Sequence, residues 1–168
     1  PDGDGVATVS MRAHDDGGAA NGGVDTSAPQ TFTITVSPVN DAPSFVRGAD
    51  QTVLEDSGPH TVTGWASSIS VGPANESSQT VSFLVSSDNA VLFSTAPTIS
   101  GNGTLTFTSA TNANGNATIT VRVQDDGGTA NGGVDTSAAQ TFTITVTPVN
   151  DPPHLAVPGS QNIAEDTV

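Results

Sequence analysis

The 168-residue chain contains no cysteine, no lysine and no tyrosine, and only one tryptophan and one methionine. Without cysteine there is no disulfide framework and no thiolate ligand for a soft metal. Without lysine there is no Lys–Asn isopeptide crosslink. No apolar run approaches the about 18 residues that a membrane-spanning helix needs. Positive charge is nearly missing: Arg12, Arg47 and Arg122 stand against seventeen acidic residues, for a net charge of -14. Such a surface is a poor partner for nucleic acid or an anionic membrane. The three histidines, His14, His60 and His154, are far apart in the sequence. With no cysteine and no histidine cluster, zinc and copper are disfavoured. There is no catalytic triad and no phosphate-binding glycine loop, so the chain does not read as an enzyme.

What the chain does contain is itself, again. DDGGAANGGVDTSAPQTFTITV at 15–36 returns as DDGGTANGGVDTSAAQTFTITV at 125–146, with only positions 19/129 and 29/139 changed. Upstream, GVATVSMRAH at 5–14 matches GNATITVRVQ at 115–124. Downstream, PVNDAP at 38–43 matches PVNDPP at 148–153, and the acidic pair at 55–56 matches that at 165–166. The period is 110 residues throughout, which is the size of a domain and longer than a solenoid unit. The expected organisation is therefore 1–41 as the last strands of one repeat, 42–151 as a complete repeat, and 152–168 as the first strand of the next.

Period-two alternation dominates. TFTITVT at 141–147 sends Phe142, Ile144 and Val146 to one face; TLTFT at 104–108 and ATITVRV at 117–123 behave alike. Such runs, split by Gly/Asn/Asp/Ser loops, predict an all-β sandwich. Seven strands are expected: A over 45–54 with a break near Gly48, B over 60–66, C over 80–86, D over 91–99, E over 104–109, F over 117–124 and G over 141–147. Pro97 weakens D as a ladder strand. Trp65 and Phe83, Phe93, Phe107 and Phe142 are the candidate core aromatics.

Alternating strand direction places the linkers at opposite ends. Loops B–C, D–E and F–G fall at the top, beside the linker that leads in; loops A–B, C–D and E–F fall at the bottom, beside the linker that leads out. Asp125, Asp126 and Asp135 then approach Asn40 and Asp41, while Glu55 and Asp56 approach Asn150 and Asp151. Asp15, Asp16 and Glu165 take the same roles in the flanking repeats. Adjacent carboxylates repel unless a cation intervenes. Oxygen-only donors on loops suit Ca²⁺, which takes six to eight of them in flexible geometry. A solvated acidic surface is the competing explanation. For the loop at 125–135 the competing explanation is a structural turn, held by Asp side chains and glycine backbone freedom.

PVNDAPSF at 38–45, after a G-type strand, resembles the inter-domain linker of cadherins. Together with the acidic turn that follows it, it is most similar to the cadherin-like and Ig-like tandem repeats of giant bacterial surface proteins and RTX-type adhesins. The resemblance covers essentially the whole chain. It implies a seven-stranded Greek-key sandwich in an end-to-end array, with Asp41 and Asp151 as linker ligands, Asn40 and Asn150 beside them, and Glu55 and Glu165 near the end of each first strand. It also implies a calcium-stiffened rod on a bacterial surface or secreted, whose partners are neighbouring repeats. A filament or matrix fibre with homotypic contacts is the alternative. The pattern departs from cadherins at Pro38 and Pro148, at the missing Asn after Asp41, and at TNANG over 111–115, where an Asp-Arg-Glu would stand.

Other features have plainer readings. The outward threonines fit a sugar- or ice-binding array, but Thr is also simply a good exposed strand residue. Asn75, Asn102 and Asn116 sit in Asn-x-Ser/Thr sequons, which in a bacterial-looking chain read as accidental. GPANES at 72–77 is a polar loop at the top and a candidate binding site, but nothing in it fixes a ligand class.

Overall fold

The computed structural model of the protein describes residues 3–157, 159–160 and 165. The chain is nearly all-β, without α-helices among the described residues, and builds several sheets in an arrangement consistent with a β-sandwich. In chain order the strands are β1 Gly5–Met11, β2 Gln30–Val36, β3 Ser44–Val46, β4 Gln51–Leu54, β5 Pro59–Val62, β6 Ser67–Ser70, β7 Val81–Ser87, β8 Phe93–Ile99, β9 Leu105–Ser109, β10 Gly115–Asp125 and β11 Gln140–Thr147. Among the described residues no helix is long and apolar enough to cross a membrane.

One sheet has the order β4-β11-β10-β7, a second β5-β9-β8, and β3 pairs with β6 in a short ribbon. All pairings are antiparallel except β4 with β11, which is parallel. The expected strand A is thus two strands, β3 and β4, pairing with different sheets. The break has a steric cause at Gly48. A side chain there would collide with the backbone and indole ring of Trp65 at 2.5–2.8 Å. Trp65 is buried, donates its Nε1–H to the Ala49 carbonyl at 2.9 Å, and packs on Phe142 with ring centroids 4.3 Å apart. Strand B is also split: β5 ends at Val62, and β6, which the sequence pattern does not signal, follows Trp65. Its Ser-rich run lacks alternation, and Ser68 has φ 48, a left-handed conformation that kinks the segment. Pro97 does lie within β8, and β8 is an edge strand, where a missing N–H leaves no ladder bond unmade. Its pairing with β9 slips on both sides of Thr95.

The alternation places the core. Leu105, Phe107, Ile119, Val121, Val123, Ile144 and Val146 are all essentially inaccessible to solvent. Each such side chain contributes roughly 1.5–3 kcal/mol by leaving water. Phe45 meets Phe83 edge-on at 5.2 Å, and His60 stacks on Phe107 at 5.2 Å, so His60 belongs to the sandwich packing.

The hairpin β1–β2 reproduces β10–β11 residue for residue: Gly5 pairs with Val36 as Gly115 does with Val146, through to Met11 with Gln30 and Val121 with Gln140. The expected first strand of a third repeat, within 152–168, lies partly outside the described residues, as does Asp166.

Candidate metal centre

The acidic loop is built the same way twice. Asp15 and Asp125 each accept the amide of the glycine two residues on, at 2.9 and 3.0 Å, in an Asx turn. Their own amides donate to the carbonyls of Asp25 and Asp135, both at 2.9 Å. A 3-10 turn follows, with Asn21 and Asn131 left-handed at φ 58 and 57. Thr26 and Thr136 donate their hydroxyls to Asp25 and Asp135. The loop is therefore a self-consistent turn held by its own aspartates and glycines. Asp16 is exposed.

At the top, the linker and the loops meet. Asn40 donates its amide to Asp125 Oδ1 at 3.0 Å and to the Val134 carbonyl at 2.8 Å, and its Oδ1 accepts from Gln79 Nε2 at 2.7 Å. The Asp41 amide donates to Glu76 Oε1 at 2.9 Å. Glu76 ends the 3-10 turn Ala74–Glu76 and is buried. Of the residues expected here, Asn40, Asp41 and Asp125 are gathered by the network. Asp126 turns to the start of β7, accepting from the Thr80 amide at 2.8 Å and its hydroxyl at 2.9 Å. Those two donors, the amide first, hold the Asp126 carboxyl below its ordinary value of 3.8. Asp135 is held below 3.8 by the Thr136 hydroxyl and then the Gln124 amide. Both are occupied by neutral donors of the chain itself.

At the bottom, Glu55 is buried and doubly bonded: Oε1 accepts from the Val149 amide at 2.8 Å and Oε2 from Asn114 Nδ2 at 3.1 Å. Asp56, left-handed at φ 58, accepts from the Asn112 amide at 3.2 Å. With its side-chain amide oriented to match its neighbours, Asn112 donates to Asp151 Oδ2 at 2.9 Å and to Asp56 Oδ2 at 3.3 Å. Glu55, Asp56 and Asp151 are thus brought to one end. Asn150 bonds only locally among the described contacts, to the Asp151 carbonyl at 3.3 Å, and Glu165 is exposed.

Three residues that organise these ends lie outside the sequence-based set. Glu76 sits in GPANES, a polar loop at the top that is a candidate binding site with no ligand class fixed; a lone acid four residues after Gly72 is too faint a pattern to single out. Asn112 and Asn114 sit in TNANG, which gives no sign that its amides reach Asp56, Asp151 and Glu55.

The donors suit a hard cation in kind: carboxylate, amide and carbonyl oxygens, with no sulfur. Among the described residues, no three acid or imidazole side chains converge closely enough to form a metal cage on their own. Buried acceptors without a donor are nevertheless present at the top, at Glu76 Oε2, Gln79 Oε1 and Asp125 Oδ2. No family model matches the chain, and no curated protein matches it.

Proposed function

We propose that the chain is a segment of a tandem array of calcium-binding β-sandwich repeats, forming a stiff extracellular rod that extends a bacterial surface adhesin. Residues 42–151 are one complete link. In this reading β3/β4, β5/β6 and β7 to β11 are strands A to G of a Greek-key, Ig-like or cadherin-like sandwich, and the β1–β2 hairpin is strands F and G of the preceding link. The role is structural and not enzymatic. The cation is Ca²⁺, held where the linker acids Asp41 and Asp151 meet the loop acids of the sandwich.

One observation carries the proposal. Linker and loop residues distant in sequence are tied together at both ends of the same sandwich: Asn40 to Asp125 and Asp41 to Glu76 at the top, Val149 to Glu55 and Asp151 to Asp56 through Asn112 at the bottom. Each short Pro-containing linker is therefore clamped against loops carrying excess negative charge. A divalent cation screens that charge and stiffens the joint. Small-angle scattering of a chain with several repeats tests the mechanical claim. The maximum dimension is expected to be longer in calcium than in EDTA; equal dimensions refute calcium stiffening.

A further inference from the structure

We propose that the top of the sandwich carries the tight divalent-cation site, centred on Glu76, and that the bottom closes on its own amide donors. The proposal rests on the reading of the junctions as calcium sites and says which end binds first.

Glu76 and Asp125 are each only 6% exposed. Each has one oxygen engaged and one without a donor. Glu76 Oε1 accepts the Asp41 amide while Oε2 has none; Asp125 Oδ1 accepts from Asn40 and Gly127 while Oδ2 has none. Gln79 presents a third bare acceptor, Oε1, because its Nε2 is committed to Asn40. Glu76 and Gln79 line the same half-open cavity of about 230 Å³, together with Asn40 and Asn75. A Cβ at Gly72 would overlap the Glu76 carboxylate and lie 3.7 Å from the Asp41 Cβ, and the φ of +145 there already disfavours a side chain. Gly72 thus lets the Glu76 and Asp41 side chains approach one another. Asp4 and Asp41 face an adjoining cavity of about 240 Å³, again with Asn75.

Bare acceptors of this kind need a donor or a cation, since a buried carboxylate oxygen left unpaired costs free energy. No arginine supplies one: the arginine–carboxylate pair among the described residues is Arg47 with Asp50. A hard cation satisfies carboxylate and amide oxygens together, with water completing the shell.

The bottom differs in chemistry. Both Glu55 oxygens have protein donors, and Asn112 spans Asp56 and Asp151. Asn114 supplies one of those donors; one period earlier the same position is Asp4, and that of Asn112 is Asp2. An amide that donates to a glutamate at one junction is replaced by a carboxylate that cannot. The array therefore contains joints of unequal calcium dependence, set by Asn or Asp at two positions of one loop.

Calorimetric titration of the 168-residue chain with calcium chloride tests this. Glu76→Gln should weaken the tightest binding step at least tenfold, and Glu55→Gln should leave it within about threefold. Gln79→Glu adds a carboxylate where a bare amide oxygen now stands, at the loss of the Nε2 bond to Asn40, and should tighten binding; it keeps the test open if Glu76→Gln fails to fold. Binding that survives Glu76→Gln but is lost in Glu55→Gln overturns the assignment while leaving calcium at the junctions intact. An affinity unchanged by Gln79→Glu also overturns it. No binding by the unaltered chain at millimolar calcium overturns both this assignment and the junction reading.

Discussion

The hairpins β1–β2 and β10–β11 have nearly the same sequence, the same register and the same turn, yet opposite surroundings. Phe142, Ile144 and Val146 are 3%, 0% and 1% exposed; their counterparts Phe32, Ile34 and Val36 are 47%, 49% and 51% exposed. The difference lies in the neighbours. β10 and β11 are flanked by β7 and β4 and share a buried core with the β5-β9-β8 sheet, whereas among the described residues β1 and β2 pair only with each other. Local sequence is thus sufficient for the hairpin, its Asx turn and its left-handed Asn. Burial is conferred by strands elsewhere in the chain, from β9, just ahead of β10, to β4, whose Gln51 pairs with Ile144. The same apolar face, covered in one copy and open in the other, supports the proposed folding unit of 110 residues.

The largest effect should come from the core of the covered hairpin. Ile144→Ala removes a side chain with no solvent exposure and should cost about 2–5 kcal/mol in denaturant unfolding. Ile34→Ala, the same change on the open hairpin, should stay within about 0.5 kcal/mol. Equal losses would mean that β1–β2 is covered after all, and would break the contrast.

A smaller difference is expected at the turn. Asp125→Ala removes the acceptor for both the Gly127 amide and the Asn40 side chain, and should lower stability by about 1–3 kcal/mol. Asp15→Ala removes only a local bond to Gly17 and should leave the melting temperature of the sandwich unchanged. If Asp125→Ala destabilises equally with and without calcium, Asp125 serves the turn alone; a larger loss in calcium marks it as a ligand as well.

The smallest effect concerns pH. Asp126 and Asp135 are held below 3.8 in the folded state. A depressed carboxyl adds stability that is complete above its unfolded value and is lost as pH falls through the lower, folded one. Melting temperatures recorded downward from pH 5 should therefore fall below about pH 4, and Asp126→Asn should flatten that limb. An identical acid limb in the variant would remove the Thr80 bonds from the account.

Much of the sandwich was legible because it rests on period-two patterning, which Phe142, Ile144 and Val146 display without interruption. The split of strand A was legible through Gly48, although its cause, the Trp65 ring, was not. Strand β6 was hidden, since Ser67–Ser70 is held by tertiary pairing with β3 and not by its own pattern. The sequence indicated which ends gather acids: Asp41 with Asp125 loops above, Glu55 and Asp56 with Asp151 below. It did not indicate who answers them. Whether a carboxylate finds an amide, as Glu55 finds Asn114, or none, as at Glu76 Oε2, depends on side-chain directions across 59 residues of chain in the first case.

The central claim is that the repeat is a 110-residue sandwich joined to the next through calcium. It can be tested by supplying the open hairpin with its missing strands. A copy of residues 42–110 fused ahead of Pro1 restores the period and gives two complete sandwiches with one whole junction between them. Differential scanning calorimetry of this chain in millimolar calcium and in EDTA is the decisive measurement. The account predicts one chain with two folded sandwiches and a melting temperature raised by calcium, with a stabilisation of about 2.7 kcal/mol at a hundredfold excess over the dissociation constant. A single sandwich-sized transition, or the same melting temperature in calcium and EDTA, would contradict it.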